Sequence, residues 1–417
     1  LALVSGGFSD PPKELSVRAL VLAAGRGTGL YPFTDTRPKA MLPVAGEKLL
    51  DSALEKLRAA GVTDVVMVVG HCADKIINYF SGGAAHGMTI QYVRQNDPTD
   101  IRDAIRRSRD HFQPGEGFLL VYADVLTSGN IYRHVIQTFG SFNQPVAAIC
   151  HTPQAQNFGT VYLDADMRIT RLVEKPSQKE VGNYVLAGVF VMPYKLFDLL
   201  EGQEMVESFN EIISSTGLRS AIWEEPWLDA QRPWDLLKGN QMVMRTWTGA
   251  RVSGTVQLRG AVQFRGPVWI ESEVVIESGA SIFGPCFIGK GSFLGNGVLV
   301  RPNTSIGAGC TIGFGVELKN CVLLDKVQVG RLSYIGDSVV GEGAYIGSGT
   351  LTVNHNLDRT EIVLPLKDGM VNSGSDKLGA FVGDGAHVGA SNTLAAGAVI
   401  APDQVVPHRY TYPGGGD

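Results

Sequence analysis

From Val252 to Leu324 every sixth residue of the chain is apolar: Val252, Leu258, Phe264, Ile270, Ile276, Ile282, Ile288, Leu294, Val300, Ile306, Ile312, Leu318 and Leu324. A helix repeats every 3.6 residues and a half-buried strand every two, so neither produces this run. A period of six predicts a triangular β-solenoid: three hexapeptides complete a coil, and one aliphatic side chain of each points inward. Gly289, Gly295, Gly307 and Gly313 beside the stripe suit corners where a Cβ would clash. The step shortens to five between Leu324 and Val329, and again between Ile335 and Val340. The stripe is lost across the polar stretch Asn354–Lys377 and resumes at Val382, Val388, Leu394 and Ile400. That stretch is expected to loop out of the coil and reach a neighbouring copy.

The first half has a different rhythm. A strand at Ala19–Ala24, a glycine-rich loop, a helix at Leu49–Ala60 closed by Gly61 and a strand at Val65–Val69 follow one another. Ile90–Val93, a basic helix over Ile101–Phe112, and strands at Phe118–Tyr122 and Val146–Cys150 continue the alternation. This predicts a Rossmann-like α/β domain, parallel and doubly wound, with its ligand at the C-terminal strand ends. A helical stretch, Pro233 to Thr246, joins the two halves. The expected units are residues 17–245 and 250–406.

Composition narrows the function classes. The chain has 417 residues, 44% of them hydrophobic and 18% charged, with a net charge of −5, which gives no reason to expect a nucleic-acid partner. The five cysteines (Cys72, Cys150, Cys286, Cys310, Cys321) show no metal or disulfide spacing, as expected in a reducing cytoplasm. No apolar run reaches the roughly 18 residues of a membrane span, and Leu1–Ser16 does not read as a signal peptide.

The candidate chemistry lies after the first strand. In Val21-Leu-Ala-Ala-Gly-Arg-Gly-Thr-Gly29, Gly25 and Gly27 let backbone N–H groups approach phosphates. Lys39, in Arg37-Pro-Lys-Ala-Met-Leu-Pro-Val44, adds a mobile cation. The two elements together resemble the signature of sugar-1-phosphate nucleotidyltransferases. The resemblance implies nucleotide contacts at Ala23, Ala24, Gly25, Gly27 and Gln95, and Asp124 and Asp229 as the Mg²⁺ ligands. Glu174, Lys175, Gly159 and Asn183 match its sugar-binding positions, and Lys39, Asp124 and Lys175 its catalytic ones. NTP, sugar-1-phosphate and NDP-sugar are the implied ligands. Three positions depart from the pattern. Gly29 stands where the family has an arginine, Thr99-Asp100-Ile101 replaces Gly-Thr-Ala, and Ala123 replaces a glycine. Arg26 or Arg37 is the expected substitute for the lost cation, and Gly29→Arg is expected to raise turnover.

A second resemblance lies in the solenoid. Arg331-Leu-Ser-Tyr-Ile-Gly-Asp-Ser338, Asn354 and Lys377 are similar to the acetyltransferase half of bifunctional uridylyltransferase/acetyltransferases, which carry a left-handed parallel β-helix. This implies an acetyl-CoA site with Arg331, Tyr334, Asn354 and Lys377 at substrate positions, in a homotrimer or dimer of trimers. Arg331 occupies the place of the family's histidine base, and a guanidinium cannot accept that proton; His355 is the nearest substitute. Two readings follow: a slow nucleotidyltransferase, or a non-catalytic sugar-nucleotide-binding homologue that regulates an active paralogue.

Overall fold

A computed structural model describes residues 17–97, 100–152, 155, 158–174, 182 and 184–415. The N-terminal half is built on a nine-stranded sheet of β1 (Ala19–Ala23), β2 (Asp64–Val69), β3 (Thr89–Arg94), β4 (Gly117–Tyr122), β5 (Val146–Cys150), β6 (Thr160–Leu163), β7 (Arg168–Val173), β8 (Tyr184–Pro193) and β9 (Leu218–Trp223). Its order is β3-β2-β1-β4-β8-β5-β9-β7-β6. The first four strands pair in parallel, as the alternation predicts. β8 runs antiparallel to both β4 and β5, so the whole sheet is mixed. β8 is central to the sheet, and its run Val189–Met192 is fully buried, which suits a strand covered on both faces. The helix predicted over Ile101–Phe112 is α-helical only to Arg107 and ends in a 3₁₀ turn at Arg109–His111.

The C-terminal half is the expected triangular coil. Three parallel sheets of eight short strands form its faces. The first face begins at Arg251–Val252, the second at Gln257–Arg259 and the third at Gln263–Arg265. Val268 pairs with Cys286 and Cys286 with Thr304, one 18-residue coil per step. The predicted stripe forms the inner core, with one shift of register. Leu323, not Leu324, pairs with Ile306 and points inward, so the first five-residue step falls between Leu318 and Leu323. Alternation explains this: in Val322-Leu323-Leu324 only the central side chain faces the interior, and its neighbours face out. Val252 and Leu258 stay exposed because no coil lies beneath them.

Those outward residues show how the two halves join. Val322, Leu324, Val339, Phe381, Val399 and Phe287 of the first face form one buried cluster with Leu30, Phe33, Leu42, Trp234 and Leu237 of the N-terminal half. Trp247 stacks on Trp269 at 3.6 Å across the joint. The stretch Asn354–Lys377 interrupts the coil between the strands Leu351–Thr352 and Phe381–Val382. It carries a hairpin, Val363–Leu366 paired with Gly369–Asn372, whose Leu364 and Leu366, with the preceding Ile362, are buried in this same cluster. These apolar side chains are covered at the joint between the two halves, with Ile362 and Leu364 lying against Gly397 of the β-helix. Among the described residues no helix is long and apolar enough to cross a membrane.

Candidate functional site

Two short strands bring the carboxylates together. β4 runs out at Tyr122, and the chain turns through Ala123 and Asp124 into Val125–Thr127. That strand pairs antiparallel with Trp227–Asp229, placing Asp229 opposite Val125 and so beside Asp124. Lys39 enters from the 3₁₀ turn Lys39–Met41 and closes the triad. Its Nζ lies 2.5 Å from Asp124 Oδ2 and 3.4 Å from Asp229 Oδ1. Gly27, at φ +61°, allows the approach: a Cβ there would press on the Lys39 stem at 3.0 Å.

The electrostatics follow from two carboxylates sharing one ammonium. Burial, then the charge of Asp124, pushes the Asp229 carboxyl above its ordinary range, against Lys39 and the Gln231 amide. Burial would lower the Lys39 ammonium, but Asp124 and Asp229 outweigh it and hold it above its usual value. One negative charge is left over. A divalent cation bound by one or two carboxylates plus substrate phosphates fits this set, with Lys39 standing in its place here. Among the described residues no three His, Cys, Asp or Glu side chains converge, so phosphate oxygens would have to complete the shell.

A cavity of about 520 Å³ opens beside Asp229, lined by Tyr122, Phe158, Gly159, Glu174, Trp227 and Gln231 among others. Gly159 faces Glu174: a Cβ at 159 would sit 3.0 Å from Glu174 Oε2. Burial, then the charges of Asp124, Glu174 and Asp229, pushes up the phenol of Tyr122, one of the lining residues. The structure thus gathers Lys39, Asp124, Asp229, Gly159 and Glu174. Lys175 and Asn183 lie outside the described residues, as does Thr99. Tyr122, Trp227 and Gln231 are additions; all three sit within a few residues of the aspartates, which was the available signal.

The opposite end holds the glycine loop. Ala23 and Ala24 are buried at the end of β1, and Gly25 is open. Gln95 is buried there too, its Nε2 donating to the Asp100 carbonyl at 2.7 Å and to Asp103 Oδ2 at 3.1 Å. Asp100 does not press its charge on that spot. It caps the helix Ile101–Arg107 through the Arg102 N–H and pairs with the Arg102 guanidinium, whose hydrogen bond holds its carboxyl below the ordinary range.

Two expectations about cations are corrected at this end. Arg37 is not free to replace an arginine at 29: it is buried and held by Asp384 and by Glu342 at 3.1 Å, both from the β-helix. Nor is there room to restore one. A Cβ at position 29 would lie 2.6 Å from the Gln231 carbonyl oxygen, so Gly29→Arg collides with backbone. Arg26 remains exposed, 3.8 Å from Asp97.

The β-helix gathers a second polar cluster where its third face turns into its first. Asp337, at φ +49° and 4% exposed, accepts from Asn320 Nδ2 and Asn354 Nδ2, each at 2.6 Å, and pairs with Lys319 at 3.3 Å. Tyr334 OH lies 3.5 Å from Asn354 Nδ2, and His355 Nδ1 3.1 Å from Asn354 Oδ1. Burial, then the neighbouring Lys377, lowers the Lys319 ammonium. Tyr334, Asn354 and Lys377 thus lie around one cluster with Lys319 and Asp337. Arg331 does not: it is exposed at the corner between the second and third faces.

Comparisons with known proteins match this architecture. A nucleotidyl transferase family model matches residues 18–241, and a GMPPB C-terminal domain model matches 282–412. The bifunctional protein GlmU of Methanococcus vannielii is 30% identical over 405 residues, 93% of each chain. The low-salt glycan biosynthesis nucleotidyltransferase Agl11 of Haloferax volcanii is 32% identical over 354 residues, 80% of this chain and 94% of its own. A UDP-glucose pyrophosphorylase solved with UDP-glucose shares the fold at TM-score 0.50 and 19% identity, over 54% of this chain and 97% of its own. With the glycine loop, the lysine and the paired aspartates in one site, and with relatives that match across both halves, the chain belongs to the nucleotidyl transferase family.

Proposed function

We propose that the chain joins an NTP to a sugar-1-phosphate, giving an NDP-sugar and pyrophosphate. The observation that carries this reading is the Lys39–Asp124–Asp229 convergence, set between the glycine loop on one side and the Gly159–Glu174 cavity on the other. A phosphate oxygen of the sugar-1-phosphate attacks the α-phosphorus; the new P–O bond forms as the bond to the pyrophosphate oxygen breaks, and pyrophosphate leaves with that electron pair. No protein nucleophile is needed, so the chain contributes positioning and charge neutralisation. Asp124 and Asp229 would hold Mg²⁺, which supplies positive charge to the phosphates. Lys39, displaced from the carboxylates, turns its ammonium to the phosphates, while Glu174 accepts from sugar hydroxyls and Lys175 and Asn183 complete the sugar end. Turnover is slow, because position 29 offers no cation and Arg37 is committed to the β-helix.

The β-helix serves assembly. Phe314, Leu332 and Tyr410 stand exposed along the corner that also carries Arg331, opposite the face that packs on the N-terminal half, and this edge supports a homotrimer or dimer of trimers. Acetyl transfer from acetyl-CoA is absent or feeble, since Arg331 cannot take a proton and His355, beside Asn354, is the remaining substitute. A second reading, a sugar-nucleotide-binding regulator of an active paralogue in the cytoplasm, is favoured by one observation: the phosphate end is tied down by the β-helix, whereas the sugar end is open. Coupled pyrophosphate release, measured across the four NTPs with several sugar-1-phosphates, separates the two. Mg²⁺-dependent turnover is expected. Its absence for every pair, together with tight NDP-sugar binding, selects the regulator.

A further inference from the structure

The hairpin that folds back from the β-helix ends in two adjacent residues of opposite charge, and each reaches a different loop at the phosphate end. Lys367 pairs with Asp35 at 2.5 Å, beyond the glycine loop. Asp368 pairs with Arg232 at 2.7 Å, on the loop that follows Asp229. Arg232 is well placed. Its Nη1 is 3.6 Å from where a Cβ at Gly29 would stand, so its guanidinium occupies the ground between glycine loop and metal-binding loop. The preceding Gln231 holds Asp229 Oδ2 at 2.7 Å, and Asp235 fixes the loop by accepting from the Gln231 and Arg232 N–H groups at 3.0 and 2.8 Å.

A triphosphate brings several negative charges, and the cations around this end are not equally available. Lys39 is shared by two carboxylates, and Arg37 is buried between Glu342 and Asp384. Arg26 is exposed to solvent. Arg232 combines a fixed backbone with a half-exposed partner, Asp368, whose carboxyl its hydrogen bond holds below the usual range. An exposed pair of this kind is weak enough for a phosphate to displace.

We propose that Arg232 binds the pyrophosphate end of the nucleotide and that Asp368, on the β-helix hairpin, competes with the phosphates for it. The β-helix thereby sets nucleotide affinity from outside the nucleotide-binding half. This inference rests on the nucleotidyl-transfer reading. Its test is binding of inorganic pyrophosphate with Mg²⁺ to the full chain, by calorimetry, beside binding of the NDP-sugar. Arg232→Ala should weaken pyrophosphate about tenfold or more, as expected for a lost charge-assisted hydrogen bond, and leave NDP-sugar within about twofold. Arg232→Lys should recover some of the loss. Asp368→Asn should tighten pyrophosphate by about two- to fivefold, and Asp368→Glu should restore native affinity. Unchanged pyrophosphate binding in Arg232→Ala, an equal loss for both ligands, or weaker binding in Asp368→Asn would overturn the inference alone. A native chain that binds NDP-sugar but no pyrophosphate would overturn the transfer reading with it.

Discussion

Both halves of the molecule bury an aspartate against a lysine, and the two pairings have opposite remainders. In the N-terminal half a single ammonium, Lys39, serves two carboxylates, Asp124 and Asp229. In the β-helix one carboxylate, Asp337, serves Lys319 with Lys377 beside it, and two asparagine amides fill its other positions. The first site has a negative charge to spare, whereas in the second two ammonium groups, Lys319 and Lys377, face one carboxylate. Their surroundings differ as well. Asp229 opens onto a cavity of about 520 Å³, whereas Asp337 is locked into a corner at positive φ by Asn320, Asn354 and Lys319. The first pairing borders an open cavity, and the second holds a bend of the coil.

The sharpest test of the first remainder is Asp124→Asn. Removing that charge leaves Lys39 a single carboxylate and removes half of the proposed metal set, so pyrophosphate release should fall by on the order of 10²–10³-fold. Thermal unfolding should stay close to native, because Asp124 is partly exposed and its loss relieves repulsion on Asp229. A variant that turns over normally would remove the pair from the chemistry.

The second remainder predicts a loss of stability instead of activity. Asp337→Ala leaves Lys319 and two half-buried amides without their acceptor and puts a residue without a compensating polar side chain at φ +49°. We expect about 3 kcal/mol of destabilisation, read by denaturant unfolding of the full chain. Asp337→Asn tolerates the left-handed backbone better and should lose less. Equal stability in all three chains would mean that the corner does not depend on this carboxylate.

How far each site was legible in the sequence follows the same division. The glycine loop, Lys39 and Asp124 stand in contiguous motifs, so their chemistry is local and readable. The six-residue stripe is readable for the same reason, and fails only at Val322-Leu323-Leu324, where three consecutive apolar residues give no local reason to choose the inward one. Asp337 is different. Lys319 and Asn320 reach it from one coil below and Asn354 from one coil above, contacts visible only once the coil length fixes what stacks on what. The ties of Arg37 to Asp384 and of Asp35 to Lys367 are more distant still, since nothing in either segment encodes the joint between the two halves.

Gly29→Arg probes that joint directly. Motif matching alone expects the arginine to raise the rate; the collision with the Gln231 carbonyl predicts the reverse. Displacing Gln231 also disturbs its hydrogen bond to Asp229, so pyrophosphate release should drop about tenfold. A faster variant would show that the loop carrying Gln231 yields easily and that the missing cation is the principal defect.

The smallest effect separates the halves by their thiols. Burial pushes the Cys286, Cys310 and Cys321 thiols of the β-helix up to about 12, and Cys150 of the sheet likewise. Cys72 is partly exposed at the start of the helix Ala73–Phe80, one residue after His71, whose N–H donates to the Ala24 carbonyl. A thiol reagent at neutral pH should therefore label one cysteine of the native chain, and NTP with Mg²⁺ should slow that labelling because Ala24 belongs to the glycine loop. The buried thiols also give a pH dependence of known sign. Their folded values lie above the ordinary 9, so the unfolded chain releases protons first as pH rises. Their contribution is fully present below about pH 9 and is lost progressively between 9 and 12. Unfolding midpoints measured from pH 7 to 10 should fall at the upper end, and replacing Cys286 with alanine should flatten some of that slope at some cost in packing. Labelling of more than one cysteine before unfolding would mean that the coil opens far more readily than its close-packed interior predicts.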